Sequence, residues 1–319
     1  MRASDNGPWS RRTFYLPYLM GLLITGLTLC SHRLLEVKKP PIDYTQITIG
    51  SLGQQEQIAE RTARLGWQVG VLLICVTCAV AIAVACLIAP QSARNRFRWQ
   101  IAILLAGSVL LALVIVLKLP PSHAGVDASF YQVIAKGPPG SLFPIRNATL
   151  IVDVTQFLGI IAEVFLFLAA GCLLAPPADK TLQQIVESMA RLRALLYCAA
   201  AMLVASVICT AAFHAWMLTF LKVPARNWVD IYLKTLDMRI MVQNTLLLAA
   251  FYVPAAAVLM ARAHGLAKAE TKSGTLSETR ALLKKHELGL SFPKSVSSGL
   301  AVLSPMFVRP VLAIIEYVP

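Results

Sequence analysis

Apolar and polar positions alternate coarsely along this chain. Apolar runs near 13–30, 67–89, 99–117, 150–174, 194–221 and 240–261 are separated by shorter polar segments. Each run approaches or exceeds the ~20 residues that a helix needs to cross a hydrocarbon core of ~30 Å. The pattern predicts an all-α, polytopic integral membrane protein. About six transmembrane helices occupy 1–261, and a basic cytoplasmic tail with short helices occupies 262–319. Tyr15, Tyr18, Trp67, Trp99, Trp216 and Trp228 fall near the ends of runs, where amphipathic rings favour the headgroup region.

Finer periodicities sit on this frame. The loop before the second run holds a helix-like stretch over 52–65, in which Glu60 and Arg64 have the i,i+4 spacing of a helix-face ion pair. The loop over 118–149 is punctuated by Pro120-Pro121 and Gly137-Pro138-Pro139-Gly140 and reads as irregular. Its sequon, Asn147-Ala148-Thr149, abuts the fourth run too closely to be used for glycosylation. Before the fifth run, Asp179 or Thr181 can cap a helix, with Gln184 completing a Thr-x-x-Gln capping box, and Leu182, Ile185, Val186, Met189 and Leu192 form a stripe at helical period. The fifth helix should therefore begin well before the membrane.

In the tail, Thr275 and Glu278 form a second capping box and Gly289 suits a helix end, which predicts a helix over 276–288. Residues 299–318 are apolar but carry Pro305, Arg309, Pro310 and Glu316. Those residues argue against a seventh span and for a helix–break–helix packed beneath the bundle.

Composition agrees with the pattern. Hydrophobic residues make up 57% and charged ones 14%, against about 25% charge in a soluble domain. The net charge of +13 comes from 29 Lys and Arg against 16 Asp and Glu. The cations flank apolar runs instead of clustering on one face, which points to an anionic leaflet and away from nucleic acid. Arg94, Arg96 and Arg98 crowd the shortest loop with no acid to offset them. Such loops stay inside, so both termini are expected to be cytoplasmic and the chain multi-pass in a cell membrane. Ser10-Arg11-Arg12-Thr13-Phe14 resembles the start of a twin-arginine export signal, but no cleavage motif follows, and a retained anchor is expected.

Candidate chemistry is sparse. The seven cysteines lie in or at the ends of apolar runs and read as small buried hydrophobes. Cys75 and Cys78 form a CxxC without the second pair that a zinc site needs. No P-loop, GxGxxG or HExxH occurs, and His214 is the only histidine within a run. No cofactor or metal is expected, and an enzyme is the least supported class. Asp43, Glu56 and Glu60 read as a solvated helix face.

The fourth run is the informative one, because Asp153, Gln156 and Glu163 interrupt it on one stripe. Antiparallel neighbours would bring His214, Gln243 and Asn244 to the depth of Asp153 and Gln156, forming an outer polar cluster. Glu163 would lie deeper with no cation at its level, and an intramembrane acid is a functional-site hypothesis by default. The first function this suggests is a small transport or pore-forming module, with a polar path on the fourth to sixth helices and a gating tail. The alternative is a non-catalytic subunit or anchor that binds a partner membrane protein or a second copy, its polar groups only locking the bundle. In that alternative Asp153 and His214 form a structural pair. A membrane enzyme acting on a lipid-like substrate ranks last.

Overall fold

Helix formation follows the apolar runs and overshoots them. The computed structural model describes residue 19 and residues 54–92, 145–174, 181–221, 223–271, 275–286 and 297–308. In those residues the chain is all-α, with six helices, four of them long and apolar enough to cross a membrane. They are α1 (Gln54–Ser92), α2 (Ile145–Leu173), α3 (Leu182–Leu218), α4 (Val223–Glu270), α5 (Leu276–Lys285) and α6 (Ser297–Val308). The runs at 13–30 and 99–117 lie outside the described residues, apart from Leu19, which is helical.

The helix read over 52–65 is present from Gln54, and it is continuous with the run at 67–89 as one helix, α1. Gly66 alone separates them, and a glycine costs a helix interior only ~1 kcal/mol, too little to stop a helix backed by a long apolar run. Residues 223–239, read as loop, are instead the first third of α4. Val229, Leu233, Asp237, Met241, Thr245 and Leu248 are all buried and recur every three or four residues, so one buried stripe runs through the supposed loop into the membrane run. The sequon falls inside α2, where Ala148 is buried.

The caps explain where helices begin. The Thr181 hydroxyl accepts from the Gln184 N–H and starts α3 twelve residues ahead of its membrane run. The box is only half made, since Gln184 Oε1 is buried without a hydrogen-bond partner. Thr275 caps α5 in the same way, accepting from the Glu278 N–H, and α5 ends at Lys285 with His286 as its cap. Within the long helices, hydroxyls bond backward to their own backbone. Thr62, Thr77, Thr155, Thr210 and Thr245 each donate to a carbonyl three or four residues earlier, which removes a polar group from an apolar setting without a second helix.

Packing centres on α3, which touches α1, α2 and α4. Partner order gives the directions. Along α1, Glu60, Trp67 and Gly70 meet Trp216, Phe213 and Cys209 of α3, so rising numbers meet falling ones and the pair is antiparallel. Along α4, Asp237 and Asn244 meet His214 and Leu203 of α3, again antiparallel. Phe251 and Arg262 of α4 meet Phe167 and Leu174 at the end of α2, so α2 and α4 run parallel. The main core lies among these four helices, with Cys78, Ala162, Leu166, Leu192, Leu195, Leu248 and Ala255 among its buried members.

Small residues set the α1–α3 distance. A Cβ built on Gly70 would stand 2.9 Å from the Cys209 Cα, a contact with backbone that no rotamer change relieves. Close helix approach through small residues is the general means of packing in a bilayer. On the same stretch of α3, Ala205 is buried and Cys209 is half-buried at this contact, while Ala201 is exposed. Gly70→Val should therefore destabilise the protein by roughly 1–3 kcal/mol through forced separation of α1 and α3. Gly66→Ala, which meets nothing within 4 Å, should be neutral or stabilising. Thermal unfolding in detergent checks the pair, and equal effects at both glycines would refute the packing.

Candidate functional site

Polar side chains enter the bundle at separate depths. At the end where α1 begins and α3 finishes, Trp67 and Trp216 stack with ring centroids 5.1 Å apart and planes 10° apart, and Phe213 packs on both. Trp216 Nε1 donates to Glu60 Oε1 at 2.9 Å, and Arg64 Nε lies 3.5 Å from the same oxygen. The i,i+4 ion pair read from the sequence is thus present. Glu60 is no simple solvated residue, because the Trp216 indole needed an acceptor at the edge of the core.

Beside this aromatic layer lies a buried polar contact between α3 and α4. His214 Nδ1 sits 2.7 Å from Asp237 Oδ1, both side chains being buried. With Asp237 ionised, Nδ1 carries the proton and donates it to the carboxylate. The structural alternative paired His214 with Asp153, and the residue on Nδ1 is Asp237. Asp153 is half-buried on α2, whereas Asp237 shares the α3–α4 interface with the imidazole. Asp237 was missed because it precedes the charge-free part of its helix. The stripe from Val229 to Met241 is the signal that could have found it.

The remaining candidates do not converge on that pair. Asn244 is buried one to two turns deeper, where its Nδ2 donates to the Leu203 carbonyl at 3.4 Å. Gln243, next to it, is half-buried, and Gln156 is exposed on α2. Glu163 is half-buried and lines a recess of about 10 Å³ between α2, α3 and α4, walled by Leu166, Phe167, Met202, Leu203, Leu248 and Phe251 among others. That volume is on the order of one water.

Neither a protein-family model nor a curated protein nor a solved structure matches this chain. Its chemistry must be read from these side chains alone.

At the opposite end, sequence reasoning missed Arg262. Its side chain is 1% exposed, and Nη2 donates to the Leu174 carbonyl at 2.7 Å. Leu174 follows the last residue of α2, so the guanidinium meets the carbonyl-rich, negative end of that helix. Four interhelical polar contacts thus tie α1 to α3, α3 to α4 twice, and α4 to α2. Among the described residues, no three His, Cys, Asp or Glu side chains converge as metal ligands.

Removing one partner of a buried hydrogen bond leaves the other group unsatisfied, which costs about 1–3 kcal/mol. Asp237→Ala is expected to lose that much in detergent unfolding, and Asp153→Ala no more than about 1 kcal/mol. The reverse ranking would mean that His214 is paired with Asp153 after all.

Proposed function

We propose that this protein is a non-catalytic membrane subunit or anchor whose intramembrane polar groups hold its helices in register. One observation carries this reading. His214, Asn244, Arg262 and the Trp216 indole each end on a partner from another helix, so their bonding capacity serves packing among the described helices.

The proposed topology keeps six spans. Because α1 and α2 both run antiparallel to α3, they run parallel to each other, which is consistent with one further crossing of the bilayer between them. The apolar run at 99–117 suits that crossing. Arg94, Arg96 and Arg98 then lie on the cytoplasmic side, with the buried Arg262 end of α4 and with α5. The anionic leaflet on that side is the natural counterpart of the +13 charge. A subunit of this kind works in a complex, either with a second copy or with another membrane protein. Extraction from its native membrane into polymer-bounded discs, followed by native mass measurement, should give a defined mass above that of a single chain. A lone chain in every disc would defeat the proposal.

A second reading is favoured by Glu163 alone. An acid facing an apolar recess near the middle of the bundle suits a proton or cation carrier. Glu163→Gln keeps shape and hydrogen bonding while removing titration. Under the subunit reading, reconstituted wild-type protein and the variant give the same absence of proton or cation flux and the same assembled mass. A flux present in the wild type and lost in Glu163→Gln would establish transport in its place.

A further inference from the structure

The last described helix, α6, was expected beneath the bundle, and its contacts place it elsewhere. At its first turn, the Ser297 hydroxyl lies 3.1 Å from Tyr197 Oη of α3, and the Ser298 hydroxyl accepts from Tyr252 Oη of α4 at 3.4 Å. At its last residue, Val308 is buried in a cluster with Val207 of α3 and Met241 of α4, backed by Val204, Ile208 and Ile240. Advancing along α6 therefore means advancing along α3 from 197 to 207 and retreating along α4 from 252 to 241. The helix lies lengthwise in the groove between them.

Depth follows from α4. Between Arg239 and Arg262 it carries no charged residue, a length of about 33 Å at 1.5 Å per residue, close to a hydrocarbon core of ~30 Å. Tyr252 stands ten residues before Arg262, or about 15 Å further in, and Met241 only two residues after Arg239. Thus α6 starts near the middle of the charge-free zone and ends near its far edge, wholly within it.

The composition and internal bonding of α6 fit that depth. Its inner face is Ser298, Ala301, Val302, Pro305 and Val308, buried or half-buried; its outer face is Leu300, Leu303, Met306 and Phe307, all exposed. A helix that is apolar on every side belongs in a protein core or in lipid. By contrast, α5 exposes Glu278, Arg280, Lys284 and Lys285, as a helix in water does. Pro305 lacks the N–H that would bond the Ala301 carbonyl, and the Ser304 hydroxyl donates to that carbonyl at 2.7 Å. Repair of a proline gap by a neighbouring hydroxyl is how membrane helices tolerate proline. The proline that argued against a span is thus accommodated within the helix.

We infer that α6 is a membrane-embedded helix whose exposed face, Leu300, Leu303, Met306 and Phe307, is covered by lipid acyl chains. The inference is independent of the subunit reading, since it rests only on contacts to α3 and α4. Cytoplasmic placement of the described tail then holds for α5 and not for α6.

The wild-type protein in vesicles of phosphatidylcholine carrying a diazirine at the acyl-chain end provides the test. Photolysis and peptide mapping should place adducts on 297–308 at a yield within about twofold of that on the lipid-facing Leu72 and Val76 of α1, and none on α5. In parallel, hydroxyl-radical footprinting from the aqueous phase should leave Met306 unoxidised. Adducts on 297–308 no more frequent than on α5, or Met306 oxidised, would put α6 in water and overturn the inference. Protection from both reagents would mean that protein covers this face, which overturns it equally.

Discussion

Hydrocarbon offers no hydrogen bonds, and that constraint shapes every level of this structure. Each polar atom carried between two apolar runs must be answered by another group of the protein. The chain answers locally where it can, with threonine and serine hydroxyls bonding the turn behind them, as Thr155, Thr210, Thr245 and Ser304 do. Groups too large or too charged for that device reach across helices. His214 meets Asp237, Asn244 meets the Leu203 carbonyl, and Arg262 meets the end of α2. Because lipid supplies almost no hydrophobic drive between helices, these contacts and the close approach at Gly70 fix the register that apolar surfaces alone would leave loose.

Helix α3 is where these devices meet. It supplies His214, Trp216 and the Leu203 carbonyl, and it receives Gly70 against the Cys209 backbone. Antiparallel to α1, α2 and α4, it gives them one shared direction and sets their common depth scale. That scale locates α6 in the bilayer, and it separates Glu163 from the His214–Asp237 pair. A polar path would need these levels joined, whereas His214 is closed by Asp237 and Glu163 faces a recess walled by apolar side chains. This is why the subunit reading stands ahead of the transport reading.

Much of the fold was legible in the sequence, because membrane helices announce themselves by uninterrupted apolar length. The runs at 67–89, 150–174, 194–221 and 240–261 each lie almost wholly in a long helix, and the caps at Thr181 and Thr275 are where the spacing put them. What escaped were the polar ends of helices. Residues 54–65 were legible as helix but not as continuous with the run after them, and residues 223–239 lack an apolar run, so hydropathy began that helix too late and Asp237 was lost with it. Side-chain pairing escaped as well. Depth can be counted along a chain, but rotation about a helix axis decides whether Asp153 or Asp237 faces His214, and both lie at a compatible depth. The charge of Arg262 and the prolines near Arg309 read as signs of water, while burial of Arg262 and the Ser304 repair of Pro305 required tertiary contacts to be seen.

His214 and Asp237 act as a structural lock between α3 and α4. A double-mutant cycle over His214→Leu and Asp237→Leu, read by reversible unfolding in mixed micelles, measures that lock directly. A coupling of roughly 1–3 kcal/mol is expected. The double variant should be more stable than the sum of the single losses implies and should retain the native assembled mass. Additive losses, with no coupling between the two positions, would contradict it.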